Sequence, residues 1–155
     1  MKTFRSRVIN AVAMTALAAS TLSPPTPTLA RNVQYTLPMD EVMRMPAAEQ
    51  ELDGQVRFYL SGQAHTAVVM RHHDEVVTAK IRGAGEEEIE TCKRAALKAL
   101  VQYQAKARKM GANAIIDIVS YFDEQPYMSP SQYECHAGSR TVVVVFKGSY
   151  AKISY

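Results

Sequence analysis

Apolar residues recur at intervals of three and four through the stretch EEEIETCKRAALKALVQYQAKARKMG. Ile89, Cys92, Ala96, Leu100, Tyr103, Ala107 and Met110 form one seam, which predicts a single long amphipathic helix over 86–110. Glu86, Glu87, Glu88 and Glu90 crowd its start, and Lys106, Arg108 and Lys109 crowd its end. Both sets complement the helix dipole and read as a solvated face, with Gly111 placed to terminate the helix. The Ala-rich middle (Ala95, Ala96, Ala99, Ala105, Ala107) lets a sheet approach closely.

Elsewhere the period falls to two, which predicts strands. Residues 55–60 are rich in β-formers and are closed by Ser61-Gly62. A short strand over 66–71 is expected next, then a turn at His72-His73-Asp74, then a strand over 75–82. In that last run Val77, Ala79 and Ile81 take one face. Residues 113–122 are apolar and β-branched, with Asp117 as the exception, a carboxylate expected at a strand edge or bonded to backbone. Residues 123–139 carry loop chemistry, with a short strand around 132–135. The four consecutive Val of 140–147 predict a central strand covered on both faces, and 148–155 a short final strand or tail. The expected fold is therefore α+β: a mostly antiparallel sheet of four to five strands on one long helix, within a single domain over 53–155. Residues 31–52 read as a partly ordered N-terminal arm, with helical turns before Pro46 and over 47–52. Its Met39, Met43 and Met45 are expected as core fillers rather than as a soft-metal site.

Composition changes the picture at the N-terminus. Lys2, Arg5 and Arg7 precede an apolar run over 8–19, and Thr28-Leu29-Ala30 offers small residues for cleavage. This is the pattern of a secretory signal peptide over 1–30, cut after Ala30 in preference to Ala19. The apolar run is too short to span a bilayer, and no Cys lies there to carry a lipid anchor. The segment holds three of the 18 basic residues and none of the 15 acidic ones, leaving 15 of each. The exported chain is thus formally neutral, which argues against a nucleic-acid partner. Its expected location is the periplasm or the medium.

Cys92 and Cys135 are the two cysteines. An even count in an oxidising compartment suggests a disulfide. The helix runs roughly 39 Å and the strand after it roughly 33 Å. If that strand returns antiparallel to the helix, Phe122 comes back to the helix start. The following loop then carries Cys135 to Cys92, in the second helical turn.

The succession DGQVRFYLSG (53–62), TCKRAALKAL, GANAIIDIVSYF, YECHAG and an apolar strand ending in KG resembles a family of small exported bacterial proteins. Members are often labelled "excinuclease ATPase subunit-like", and the family carries no established activity. More distantly the helix–strand core is similar to the periplasmic domain of the Rcs envelope-stress sensor lipoprotein and to the pentameric YbjQ-like proteins. These likenesses imply a disulfide-pinned α+β domain that binds envelope proteins, and leave room for a homo-oligomer. This chain lacks the sensor's lipid-anchoring cysteine. It also contains no GK[ST] phosphate loop and no CxxC pair, so nucleotide hydrolysis and DNA repair are not expected.

Candidate chemistry is sparse. His65, His72, His73 and His136 would hold Zn or Cu if the fold brought them together, and no other cofactor is expected. Cys135-His136 invites a thiol-nucleophile reading, which the expected disulfide removes. No GxSxG or HExxH motif is present. Tyr121, Tyr127 and Tyr133 cluster around the Ser/Pro-rich loop and are the candidate partner-binding residues. The expected role is a non-enzymatic interaction or sensing module of the cell envelope, with a His-based periplasmic metal-binding protein as the alternative.

Overall fold

The computed structural model describes residues 30–83 and 87–155. The expected signal peptide, apart from Ala30, lies outside the described residues. In chain order the elements are β1 (Val33–Pro38), α1 (Met39–Met43), α2 (Pro46–Glu51), β2 (Arg57–Leu60), β3 (Val68–Arg82), α3 (Glu88–Met110), β4 (Ala114–Ser120), β5 (Gln132–Ala137) and β6 (Thr141–Ile153). The class is α+β, with one long helix, as expected, among the described residues. The sheet differs in detail: it has six strands, and β2 runs parallel to β4 while the other pairings are antiparallel.

Strand β6 organises the sheet. It pairs with β3 along one edge. Along the other it pairs with β5 near its start and with β4 further on. The two strands expected over 66–71 and 75–82 are one strand, β3, and the expected turn at His72–Asp74 is an irregularity inside it. Likewise 140–147 and the tail merge into β6 across Gly148. The expected arm adds β1, which pairs with β5, so the sheet gains a strand where an arm was expected.

Helix α3 packs on one face of this sheet. Cys92, Ala95, Ala96, Ala99, Leu100, Tyr103 and Ala107 are wholly buried, against Val142, Val144 and Phe146 of β6. The alanines do what their size predicts; Ala105 instead faces solvent. Gly111 ends the helix in a left-handed conformation with φ 70°. At the start the expected seam slips by one residue. Ile89 is exposed and Glu88 is buried. Arg31 explains it: its guanidinium grips both Glu88 carboxylate oxygens, at 2.6 and 3.1 Å, and the Tyr35 hydroxyl donates to Oε2 at 2.6 Å. A buried carboxylate needs such partners.

Cys92 and Cys135 form the disulfide, with Cα atoms 5.8 Å apart. The bridge ties the second turn of α3 to β5. At the far end Glu75 of β3 accepts from Lys106 at 2.5 Å and from the Tyr150 hydroxyl. Tyr103 donates to the Glu75 carbonyl at 2.9 Å. The helix is thus fastened to the sheet at both ends. Among the described residues no helix is long and apolar enough to cross a membrane.

Two outcomes follow from these ties. The bridge closes 43 residues of chain. Replacing both cysteines by Ala should lower the unfolding free energy by roughly 2–4 kcal/mol in chemical denaturation, and reductant should bring the native protein to the same midpoint. Burial works to raise the Glu75 pKa, but the hydrogen bonds from Lys106 and Tyr150 prevail and hold it below its ordinary value of 4.5. A depressed carboxylate stabilises the fold above its unfolded-state value and loses that contribution as pH falls through the folded one. Thermal melts should therefore decline more steeply with acid below about pH 4.5 for the native protein than for Glu75→Gln. Parallel slopes would show that Glu75 carries no such linkage.

Candidate functional site

The register of β6 assigns the two faces of the sheet. Val142, Val144 and Phe146 point to α3. Val143, Val145, Lys147 and Ser149 therefore point to the opposite, outer face. Neighbours directly across the ladder share it: Arg82, Lys80, Thr78, Val76 and Asp74 from β3, and Ile116 and Val119 from β4. Val143 and Val145 are only half-buried, so the central strand is not covered on both faces as its four Val suggested.

Two bulges flank β6 at one level. On β4, Ile116 pairs with Ser149 and Val119 with Lys147, which leaves Asp117 as the extra residue. It is exposed and left-handed, with φ 55°. On β3, Arg71 pairs with Ala151 and Asp74 with Ser149, so His72 and His73 together stand opposite Tyr150. Gly148 makes the β4 bulge possible: a Cβ there would lie 2.9 Å from Ile115 Cγ2 and 3.1 Å from Ile118 Cγ1. A glycine inside a strand often marks such a close approach. Above this point the outer face is cross-tied. Arg71 reaches over β6 to Asp117 at 2.5 Å and to Ser149 Oγ at 2.8 Å, and Ser149 donates to Asp74.

These residues floor a groove of about 350 Å³. One wall holds Lys147, whose Nζ lies 5.0 Å from the centre of the Tyr121 ring. The other holds Glu124, Pro126 and Met128. Asp123 and Glu124 are left-handed, at φ 48° and 60°. Together with Asp117 they are the non-glycine residues of positive φ among those described, so the backbone strain of the fold gathers around this groove. Met128, 70% exposed, stands at its rim. A second hollow of about 350 Å³ lies beside α1, lined by Met39, Met43, Phe58, Leu60 and Ile118. Met39 is buried there, as a core filler should be, whereas Met43 stands 42% exposed on its wall. Asp40 on its wall pairs with Arg44 one helical turn away, but this hollow lacks the cross-strand ion pair and the left-handed residues of the groove, which is therefore the candidate site.

The three candidate tyrosines separate. Tyr121 lines the groove. Tyr127 is half-buried and pinned to Ser120 by two backbone bonds, at 2.9 and 3.1 Å. Tyr133 is wholly buried, which removes it from any contact surface. It shares the helix-facing side of β5 with Cys135, packs edge-on against Phe146 at 5.8 Å, and burial pushes its phenol pKa up. Strand alternation backward from a helix-bridged Cys135 was the signal that pointed there.

The histidines also separate. His65 meets Tyr59 at 5.4 Å and His73 meets Tyr150 at 5.7 Å. His72 is adjacent to His73 in the bulge. His136 is buried under the Phe122 ring, stacked at 3.6 Å, with its pKa lowered first by burial. The described residues contain no group of three or more His, Cys, Asp or Glu placed to hold a metal ion. Cys135 is spent in the bridge, so the thiol-nucleophile reading lapses. The Arg71–Asp117 pair and the close approach of two Ile side chains at Gly148 are what sequence reading missed.

Gly148 can be tested directly. Gly148→Ala should cost about 1–3 kcal/mol by denaturation, because the added methyl meets two packed Ile side chains. A loss within error of zero would show that the two strands yield at this point.

No family model and no curated protein matches the chain. A crystal structure of a protein of unknown function from Pediococcus pentosaceus, described as belonging to the DUF74 family, is similar in shape. It covers 63% of this chain and 98% of its own, at 13% identity and a TM-score of 0.42. A likeness of that degree carries no statement about what this chain does.

Proposed function

We propose that this chain is an exported protein of the periplasm or medium that works as a non-enzymatic interaction module. Its partner is another envelope protein, held on the outer face of the sheet at the groove between the bulges. The observation that carries this reading is the groove itself. An ion pair spanning the central strand, a cation over an aromatic ring and an exposed methionine lie within one concavity, beside left-handed residues. Aromatic, Met and Arg side chains are the types enriched in protein contact surfaces. The reading is non-enzymatic because two of the groove's carboxylates are already engaged: Asp117 by Arg71 and Asp74 by Ser149. The disulfide supports the oxidising compartment, and the signal-peptide pattern in the sequence supports export.

A photo-crosslinking residue at Met128, in cells making the full chain, checks it. A discrete adduct with a different protein is expected. The same probe at Gln102, exposed on α3, should give none. Tyr121→Ala should reduce the Met128 adduct roughly tenfold, as for loss of a contact hot spot. Equal labelling from both positions would sink the proposal.

A further inference from the structure

We infer that the flat part of the outer face beside the groove receives an extended acidic segment of the partner protein, laid along β3 and β6. This rests on the interaction reading above and adds the partner's chemistry. Three observations carry it. The first is register: Val76 stands beside Lys147, Thr78 beside Val145, Lys80 beside Val143 and Arg82 beside Thr141, all on the outer face. The second is exposure. Val76 is 47% exposed, and Val143 and Val145 are half-buried with α3 on the other side of the sheet. The third is charge. Residues 76–82 and 141–147 include Lys80, Arg82 and Lys147 and no carboxylate. None of these three cations has an ion pair among the described residues, as holds also for Arg57, Arg94, Lys98, Lys109, Arg140 and Lys152; what sets the three apart is that they share one face of one strand pair. The outward carboxylate of the neighbouring β5, Glu134, accepts from the uncharged Gln34 at 2.5 Å, which does not neutralise it, and lies 3.9 Å from His136 Nε2, so the acidic segment is confined to the β3 side of β6.

A row of apolar and cationic side chains at every second residue has a matching ligand. An extended chain also presents alternate residues to one side, about 6.6–7 Å apart. Asp or Glu at alternate positions would meet Lys80, Arg82 and Lys147, while β-branched or aromatic residues among them would meet Val76, Val143 and Val145. The edge of β3 away from β6 carries no partner strand among the described residues, so the segment can lie close without displacing anything. The formal charge balance of the exported chain makes this a local complement of charge rather than a polyanion-binding surface.

The test uses the exported protein, 15N-labelled, with defined probes. A synthetic alternating Glu–Val peptide should shift amides of 76–82 and 141–147 saturably. An alternating Lys–Val peptide should bind at least about tenfold more weakly. The double variant Lys80→Glu with Lys147→Glu should reverse that order while its remaining amide pattern stays that of the native protein. If the double variant does not fold, Lys80→Gln alone should weaken the Glu–Val peptide, and unchanged binding would overturn the inference. So would an equal response to both peptides, shifts confined elsewhere, no saturable shift, or a stronger response to phosphatidylglycerol vesicles. If these probes fail while the Met128 adduct persists, the acidic partner is wrong and the interaction reading stands. If the adduct fails too, both fall.

Discussion

Three strands hydrogen-bond to β6, and the fold turns on how that one strand satisfies all of them. Along one edge it carries β3 for nearly its whole length. Along the other it must serve β5 and then β4. A regular ladder would give β4 no extra residue beside Gly148. The absent side chain there leaves room for Ile115 and Ile118 to close on β6, and Asp117 is expelled to the outer face as the price of keeping Ile118 in the core. The left-handed turn at Asp117 costs of order 1–3 kcal/mol. The Arg71 ion pair is half exposed and screened, so it offsets only a little of that. Most of the compensation lies in the buried isoleucines.

On the helix face the same strand meets a different constraint. Tyr103 and Tyr150 lie edge to face at 5.7 Å, and each places its hydroxyl on Glu75, one on the backbone carbonyl and one on the carboxylate. Tyr103 and Tyr150 are wholly buried and their hydroxyls need acceptors, and the half-buried Glu75 carboxylate needs donors. One residue meets both needs only because the β3 bulge turns Glu75 toward the helix end. Each bulge therefore has work on both faces. It admits a side chain to the core network on one, and shapes the groove floor on the other.

Much of this was legible from local pattern. The helix, its Gly111 stop, the strands at 55–60 and 113–122, and the cysteine pair all come from periodicity and chain reach. The merged strands did not. His72-His73-Asp74 and Gly148 look like punctuation, and punctuation cannot say whether the chain reverses or bulges and continues. Only the partner strand decides. Glu88 failed for a related reason. One residue of rotation separates it from Ile89, and the choice was made by Arg31 and Tyr35, more than fifty residues away. β1 alternates Val33, Tyr35 and Leu37 inward against Gln34 and Thr36, an alternation that reading 31–52 as an arm passed over. Of the groove only one wall was legible, Tyr121 and the loop after β4; the floor from β3, β4 and β6 was not, since strand partnership brings it together.

The outer face has two halves with opposite fates. Toward the end of β6, Ala114, Ile116, Ala151 and Ile153 make a second small core. It is closed by Tyr59, whose ring meets His65, and by the chain before β3, stitched down where Ser154 donates to the Ala67 carbonyl at 2.9 Å. Toward the start of β6 lie Val143, Val145 and Val76 in the same strand pair, with the same apolar character; Phe122 covers His136 beside Val143, and Val76 on the β3 side stays exposed. If apolar residues there were needed only for β-propensity, the covering loop would serve both halves equally. The chain before β3 covers the half around Ala151 and Ile153, where Arg71 is already paired with Asp117, and leaves Val76 exposed on the half that carries Lys80 and Lys147. A hydrophobic surface is costly to leave in water, and this one carries cations along β3 and β6, with the carboxylates of Glu134 and Asp123 on the far side of Val143 near His136. That combination is what a contact surface requires and what a merely unfinished core would lack.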